Sequence, residues 1–258
     1  MFKKSEKSDR KSVPVWPFLI VGAIIVITVL VIWAYNDKMA YKKSGEALGP
    51  VAASEETGNL EENVYYGVDE NGKLLTKETA NPELYVFEYA DYQCPHCGTT
   101  FPFMSSLIDE YHGRVALVFR TFIMSYHQHG NAATKAVNAA GMQGYWHEMA
   151  MVLFEKQSEW AITEGNAGAI TAATFSKKLD EYFKEASNGK GDLDKFHEDM
   201  KTEAVQKKIE YDLSIVHKLG IKGTPTFYID GKDTNFTSVE ENGFKDTFRK
   251  AIDKALSK

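Results

Sequence analysis

The chain has 258 residues, a formal net charge of −6 and charged side chains of both signs mixed along its length. That length can bury a proper core once the termini are set aside, and the absence of a basic stripe argues against a nucleic-acid partner. Only two cysteines occur, Cys94 and Cys97, which excludes a multi-bridge scaffold and a four-thiolate zinc site.

Residues 13–35 carry no charge and, at roughly 1.5 Å per helical residue, can cross a hydrocarbon core of about 30 Å. The stretch predicts one N-terminal transmembrane helix, with Trp16 at one interface and Trp33 and Tyr35 at the other. Lys3, Lys4, Lys7, Arg10 and Lys11 precede it, whereas Lys38, Lys42 and Lys43 follow it beside Asp37. Residues 1–12 are therefore expected to be a cytoplasmic tail, with the C-terminal domain beyond the membrane. A cleaved signal peptide is an alternative, although the small-residue site Val51-Ala52-Ala53 lies well past the apolar run. A buried core helix is another, opposed by a segment that is apolar all round and stands before a polar stretch. Residues 36–63 have the composition of a tether, which leaves 64–258 as the folded domain.

Residues 64–68 and Leu74-Leu75 predict two short strands around the turn Asp69-Glu70-Asn71-Gly72. Residues 84–90 (LYVFEYA) predict a buried strand in which Glu88 is the one charge. After Cys94-Pro95-His96-Cys97, the residues Phe101, Met104, Leu107, Ile108 and Tyr111 recur at helical spacing up to His112-Gly113. Residues 114–122 (RVALVFRTF) predict a second strand, parallel to the first across that helical crossover. Helices are expected over 131–143, 145–155, 174–186 and 192–219, making a layer inserted at about 128–219. A strand over 226–229 (TFYI), a turn at Asp230-Gly231 and an amphipathic helix over 242–256 close an α/β order.

Thiol exchange needs a thiolate, and a free cysteine near pKa 8.5 is mostly protonated at neutral pH. At the start of a helix, Cys94 meets unpaired backbone N–H groups and the positive end of the helix dipole. Pro95 loses nothing there, because its missing N–H would have been unbonded anyway. His96 can add positive charge or a hydrogen bond beside the sulfur, and Cys97, a turn further in, suits a more buried resolving thiol. Stabilising the thiolate of the reduced form makes the disulfide form a better oxidant.

FEYADYQCPHC (residues 87–97) and GTPT (residues 223–226), with helices between them, resemble the thioredoxin superfamily and its DsbA-like branch. The resemblance runs from about residue 83 to the C-terminus. It implies a thioredoxin fold with an inserted helical domain, a thiol:disulfide oxidoreductase activity, and no cofactor beyond the redox-active disulfide. It further implies that Pro225 is cis and packs against the cysteine pair. Thr224 then lies beside Cys94 with its backbone free to pair with an extended client. Glu88 matches the family's buried acid, whose raised pKa lets it move a proton for Cys97; a surface or salt-bridged glutamate is the alternative. Pro102 matches the proline that kinks this helix in thioredoxins.

Two features depart from the family pattern. Thr224 stands where proteobacterial DsbA proteins often carry valine, and the N-terminal anchor is absent from those soluble relatives. The partners implied are unfolded or folding secreted proteins and a membrane quinone-linked reoxidase, DsbB-like or similar to vitamin K epoxide reductase. The whole would be a single-pass protein of the cell membrane. His127 and His129 invite a metal reading with the cysteines, but zinc prefers four ligands, and loop or helix-cap histidines fit better. Tyr89, Tyr92, Phe101 and Phe103 flank the pair as either an apolar client groove or plain core. The same fold also serves a reductase or isomerase, and a non-catalytic tethered chaperone is a third possibility.

Overall fold

The computed structural model describes residues 53–161, 170–229, 231–234 and 244–257, together with residue 28. The chain divides into two units, Met1–Lys43 and Ser44–Lys258. The expected anchor at 13–35 lies, apart from residue 28, outside the described residues. Among the described residues, no helix is long and apolar enough to cross a membrane.

Five strands form one sheet: β1 (Asn63–Tyr65), β2 (Leu84–Ala90), β3 (Val115–Thr121), β4 (Thr226–Ile229) and β5 (Lys232–Asp233), in the order β1-β3-β2-β4-β5. Helix α1 (Pro95–Asp109) connects β2 to β3, which run parallel in register from Leu84 opposite Val115 to Ala90 opposite Thr121. The other pairs are antiparallel. Central strands covered on both faces read as nearly continuous apolar runs, as β2 and β3 do. Their side chains alternate between two cores. Val86, Ala90, Leu117 and Phe119 pack with α1, whereas Phe87, Tyr89 and Val118 pack with Ile215 and Val216 on the other face. The same alternation puts Glu88 on the α1 side.

Between β3 and β4 lie α2 (Gly130–Gly141), α3 (Trp146–Glu155), α4 (Gln157–Trp160), α5 (Ala172–Ala186), α6 (Leu193–Asp199) and α7 (Glu203–Leu219), and α8 (Phe244–Leu256) follows β5. The single helix expected over 192–219 is two. Thr202 is extended, and its Oγ1 accepts from the Val205 N–H at 3.3 Å. An N-cap thus interrupts an otherwise continuous helical period. Neither α4 nor β5 was expected, because elements this short carry no periodic signature.

The turn near residue 71 forms as expected. Gly72 has φ 77°, and Asp69 Oδ1 accepts from the N–H groups of Asn71 and Lys73 at 2.9 Å each. The hairpin around it does not form. Val68 and Leu74 make only an isolated bridge, and β1 instead pairs antiparallel with the edge of β3. The last residues of the expected tether also belong to the packed domain. Thr57 and Glu62 are buried, and Glu62 pairs with Arg120 at 2.9 Å and Lys208 at 3.3 Å.

Candidate active site

Cys94 is the N-cap of α1, with φ −74° and ψ 123°, and Pro95 occupies the first turn. The Cys94 carbonyl accepts the first helical hydrogen bond, from Gly98 N–H at 3.1 Å. The thiol therefore sits where amide donors of a helix start are unspent. A hydrogen bond with Cys97 is the strongest influence lowering the Cys94 thiol. Burial opposes it, while the Thr224 side chain and the backbone N–H groups of Cys97 and His96 assist, bringing the pKa to about 5. Cys97 is fully buried, and burial followed by the neighbouring Cys94 pushes its thiol well above the ordinary value. Two sulfurs within one turn of helix are thus driven in opposite directions.

His96 is exposed, as is Pro95, and its backbone N–H helps to lower the Cys94 thiol.

Thr224 and Pro225 reach the site from the far end of the insertion. Their peptide bond is cis, and Cys94 Sγ donates to the Thr224 carbonyl at 3.5 Å. Glu88 lies beneath the pair, fully buried, which removes the surface-glutamate alternative. Neither of its carboxyl oxygens has a hydrogen-bond partner among the described residues. Burial first, and the charge of Cys94 second, raise its pKa well above the ordinary range. Glu88 in turn helps to raise Cys97.

Several residues that shape the site were not singled out from the sequence. Asp91 is buried and accepts from Gln93 N–H at 2.9 Å, Met124 N–H at 2.7 Å and, at 2.8 Å, shares a hydrogen bond with His127 Nδ1. Gln93 Oε1 accepts from His129 N–H at 2.8 Å, and the His129 ring meets the Ile170 carbonyl at 3.0 Å. The two histidines thus brace the loop before Cys94. Among the described residues, no group of three or more His, Cys, Asp and Glu side chains is placed to hold a metal ion. From the insertion, Gln157 Nε2 donates to the carbonyls of Tyr92 at 2.7 Å and Cys94 at 2.9 Å. Asp91 and Gln93 lie inside the quoted motif, so their presence was visible though their bonds were not; Gln157 had no local signal.

The flanking aromatics are mainly core. Tyr92 stacks on Phe119 at 4.9 Å, Phe101 meets Phe119 edge-on at 5.4 Å, and Tyr89 lies in the opposite core, where its hydroxyl accepts from Arg120 at 3.1 Å. Only Phe103 of the four is partly exposed, against Phe244 at 5.8 Å.

A family model described as Thioredoxin matches residues 77–254, more than half of the chain, with the whole of this site inside the match. The chain belongs to the thioredoxin family. A relative of this thioredoxin-family chain is the probable disulfide bond formation protein D of Bacillus cereus, 27% identical over 180 residues, covering 67% of this chain and 74% of the relative. The Na(+)/H(+) antiporter NhaA 3 of Salinispora tropica is 28% identical over 148 residues, or 57% of this chain, which spans only 20% of the antiporter's length. The catalytic domain of Proteus mirabilis ScsC superposes with a TM-score of 0.58 at 18% identity, covering 85% of this chain and 98% of that one. Oxidised BdbD of Bacillus subtilis gives 0.57 at 20% identity, covering 80% and 97%. At these identities the likeness shows the fold, a mixed α/β thioredoxin fold with a helical insertion.

Proposed function

We propose that the chain is an extracytoplasmic protein disulfide oxidoreductase that donates its Cys94–Cys97 disulfide to folding client proteins. The observation that carries the reading is the opposite displacement of the two thiols, Cys94 down to about 5 and Cys97 well above its ordinary value. In the oxidising direction, a client thiolate attacks Cys94 Sγ, the Cys94–Cys97 bond breaks, and Cys97 leaves and takes up a proton. Glu88, whose pKa burial raises well above the ordinary range, is the acid at hand for that proton. A second client thiolate then attacks the client sulfur of the mixed disulfide, and Cys94 departs as a stable thiolate. The client dithiol loses two electrons and two protons; the cysteine pair gains both electrons and one proton, at Cys97, and the other proton passes to the solvent. A low pKa at the departing sulfur favours this direction.

Thr224 and Pro225 line the position from which an extended client would approach Cys94, and Pro95 and His96 present the exposed rim. Residues 13–35 would anchor the domain outside the cytoplasmic membrane, near its clients and near a quinone-linked membrane reoxidase of the DsbB or vitamin K epoxide reductase kind. The relative named as a disulfide bond formation protein supports the same reading. The test offers the oxidised chain reduced ribonuclease and the reduced chain scrambled ribonuclease: activity should return in the first reaction with the parent and fail with Cys94→Ser. Recovery only in the second reaction would identify a reductase or isomerase, and no recovery in either would leave a tethered chaperone.

A further inference from the structure

Gln157 opens α4 within the helical insertion, and its side chain leaves the insertion to reach the redox loop. Its Nε2 donates to the Tyr92 carbonyl at 2.7 Å and to the Cys94 carbonyl at 2.9 Å, which uses both protons of the amide nitrogen. The Cys94 carbonyl is also the acceptor of the first hydrogen bond of α1. Helix α1 leaves room for this arrangement, because a Cβ on Gly98 would collide with the Gln157 side-chain oxygen.

We propose that Gln157 is a positioning residue through which the helical insertion holds Cys94 in its capping geometry, and so sets the redox balance of the Cys94–Cys97 pair. The inference rests on the reading of these cysteines as a redox-active pair. Beside the Cys97 and Thr224 side chains, the amides of Cys97 and His96 help to hold a thiolate at position 94, and hydrogen bonds weaken steeply when their angles open. Those amides face the sulfur while Cys94 keeps its extended ψ of 123°. On its amino side the residue is held by Cys94 N–H donating to the Asp91 carbonyl at 3.0 Å, and its sulfur touches Thr224 at 3.5 Å. Gln157 supplies the matching hold on the carbonyl side. It is also a link by which a change in the insertion would be felt at the sulfur, beside the His129 bond to Gln93, since α4 follows α3 after a single residue.

The test uses the full chain with Gln157→Met, close in size and without donors, and with Gly98→Ala, which keeps the glutamine but displaces it. Thiolate absorbance follows the titration of Cys94, and equilibration with glutathione gives the thiol–disulfide balance. Losing a pair of hydrogen bonds of ordinary strength should raise the Cys94 pKa by about one unit and shift the glutathione equilibrium about tenfold toward the disulfide. A merely structural role would lower the unfolding temperature and leave both readouts where they were. Folded Gln157→Met protein with an unchanged titration and an unchanged equilibrium would overturn the inference. If that variant does not fold, Gly98→Ala decides by the same two measurements. A parent chain that fails to exchange with glutathione at all would instead overturn the redox reading itself.

Discussion

Cys94 meets Thr224 across 130 residues of chain: its Sγ donates to the Thr224 carbonyl at 3.5 Å, and the Thr224 side chain helps to hold the thiol below its ordinary pKa. The residue before the cis proline therefore acts on the thiol through its carbonyl and its side chain. This gives physical content to the threonine that departs from the valine of proteobacterial relatives. A hydroxyl can donate to a thiolate, and an isopropyl group cannot.

Titration of the reduced chain should show one thiolate appearing near pH 5, with the second sulfur remaining protonated well past neutrality. The sign for stability follows from the lowered value. A thiol whose folded pKa lies below its unfolded one stabilises the reduced fold fully above the unfolded value near 9, and that contribution is lost as pH falls through about 5. Absorbance at the thiolate band against pH measures it, and a first midpoint above 8 would remove the basis for thiolate chemistry at Cys94.

Thr224→Val should raise the Cys94 pKa and make the disulfide less oxidising. Loss of one hydrogen bond is worth about 1 kcal/mol, which is about fivefold in the glutathione equilibrium. The valine variant should stay folded, because the two side chains are nearly equal in volume. An unchanged equilibrium would mean that the hydroxyl does not reach the sulfur in solution.

The central strands, α1 with its cysteines and β4 were legible because each is local, a period, a cap or a turn signal within a few residues, whereas the approach of Thr224 across 130 residues came only from the family resemblance. The remainder depended on partners distant in the chain. Glu62 reads as one more acid in a polar tether, and only Arg120 and Lys208 make it a buried residue. The backbone N–H of His96 also acts on the sulfur, a contribution its side chain does not advertise. Gln157 resembles any surface glutamine until the loop it grips is folded against it. Thr202 followed by Glu203 carries a local N-cap signal, which the apolar period on either side of it masks.

Glu88→Leu should stabilise the fold by about 1–3 kcal/mol, the usual cost of a buried polar group without a partner, while slowing exchange. Because the Glu88 pKa is raised, its protonated form favours the fold below the unfolded value, and that contribution is lost as pH rises. The stability gap in favour of leucine should therefore widen with pH. Urea unfolding at pH 5 and pH 9 checks the direction, and stopped-flow exchange checks the rate. A destabilised leucine variant would show that the carboxyl has partners in solution.

Adjacent glutamates should behave in opposite ways. Glu61 pairs with Lys77 at 2.8 Å with both side chains more than half exposed, and such pairs contribute about 0–1 kcal/mol. Glu62, on the same short segment, is buried against Arg120 and Lys208, and Lys208 also pairs with Asp212 at 2.6 Å. Removing Glu62 takes one carboxylate from two buried cations, and breaking a buried pair from one side costs about 3–5 kcal/mol. Burial pushes the Glu62 carboxyl up, but the two cations outweigh it and hold the pKa below the ordinary value. Its contribution is therefore present above the unfolded carboxylate pKa and is lost as pH falls through the lower folded one. Glu62→Ala should accordingly unfold at much lower urea concentration than Glu61→Ala at neutral pH, and the two should converge in acid. Equal urea midpoints at neutral pH would mean that the segment before β1 is a tether after all, and that Arg120 and Lys208 find their counter-charges elsewhere.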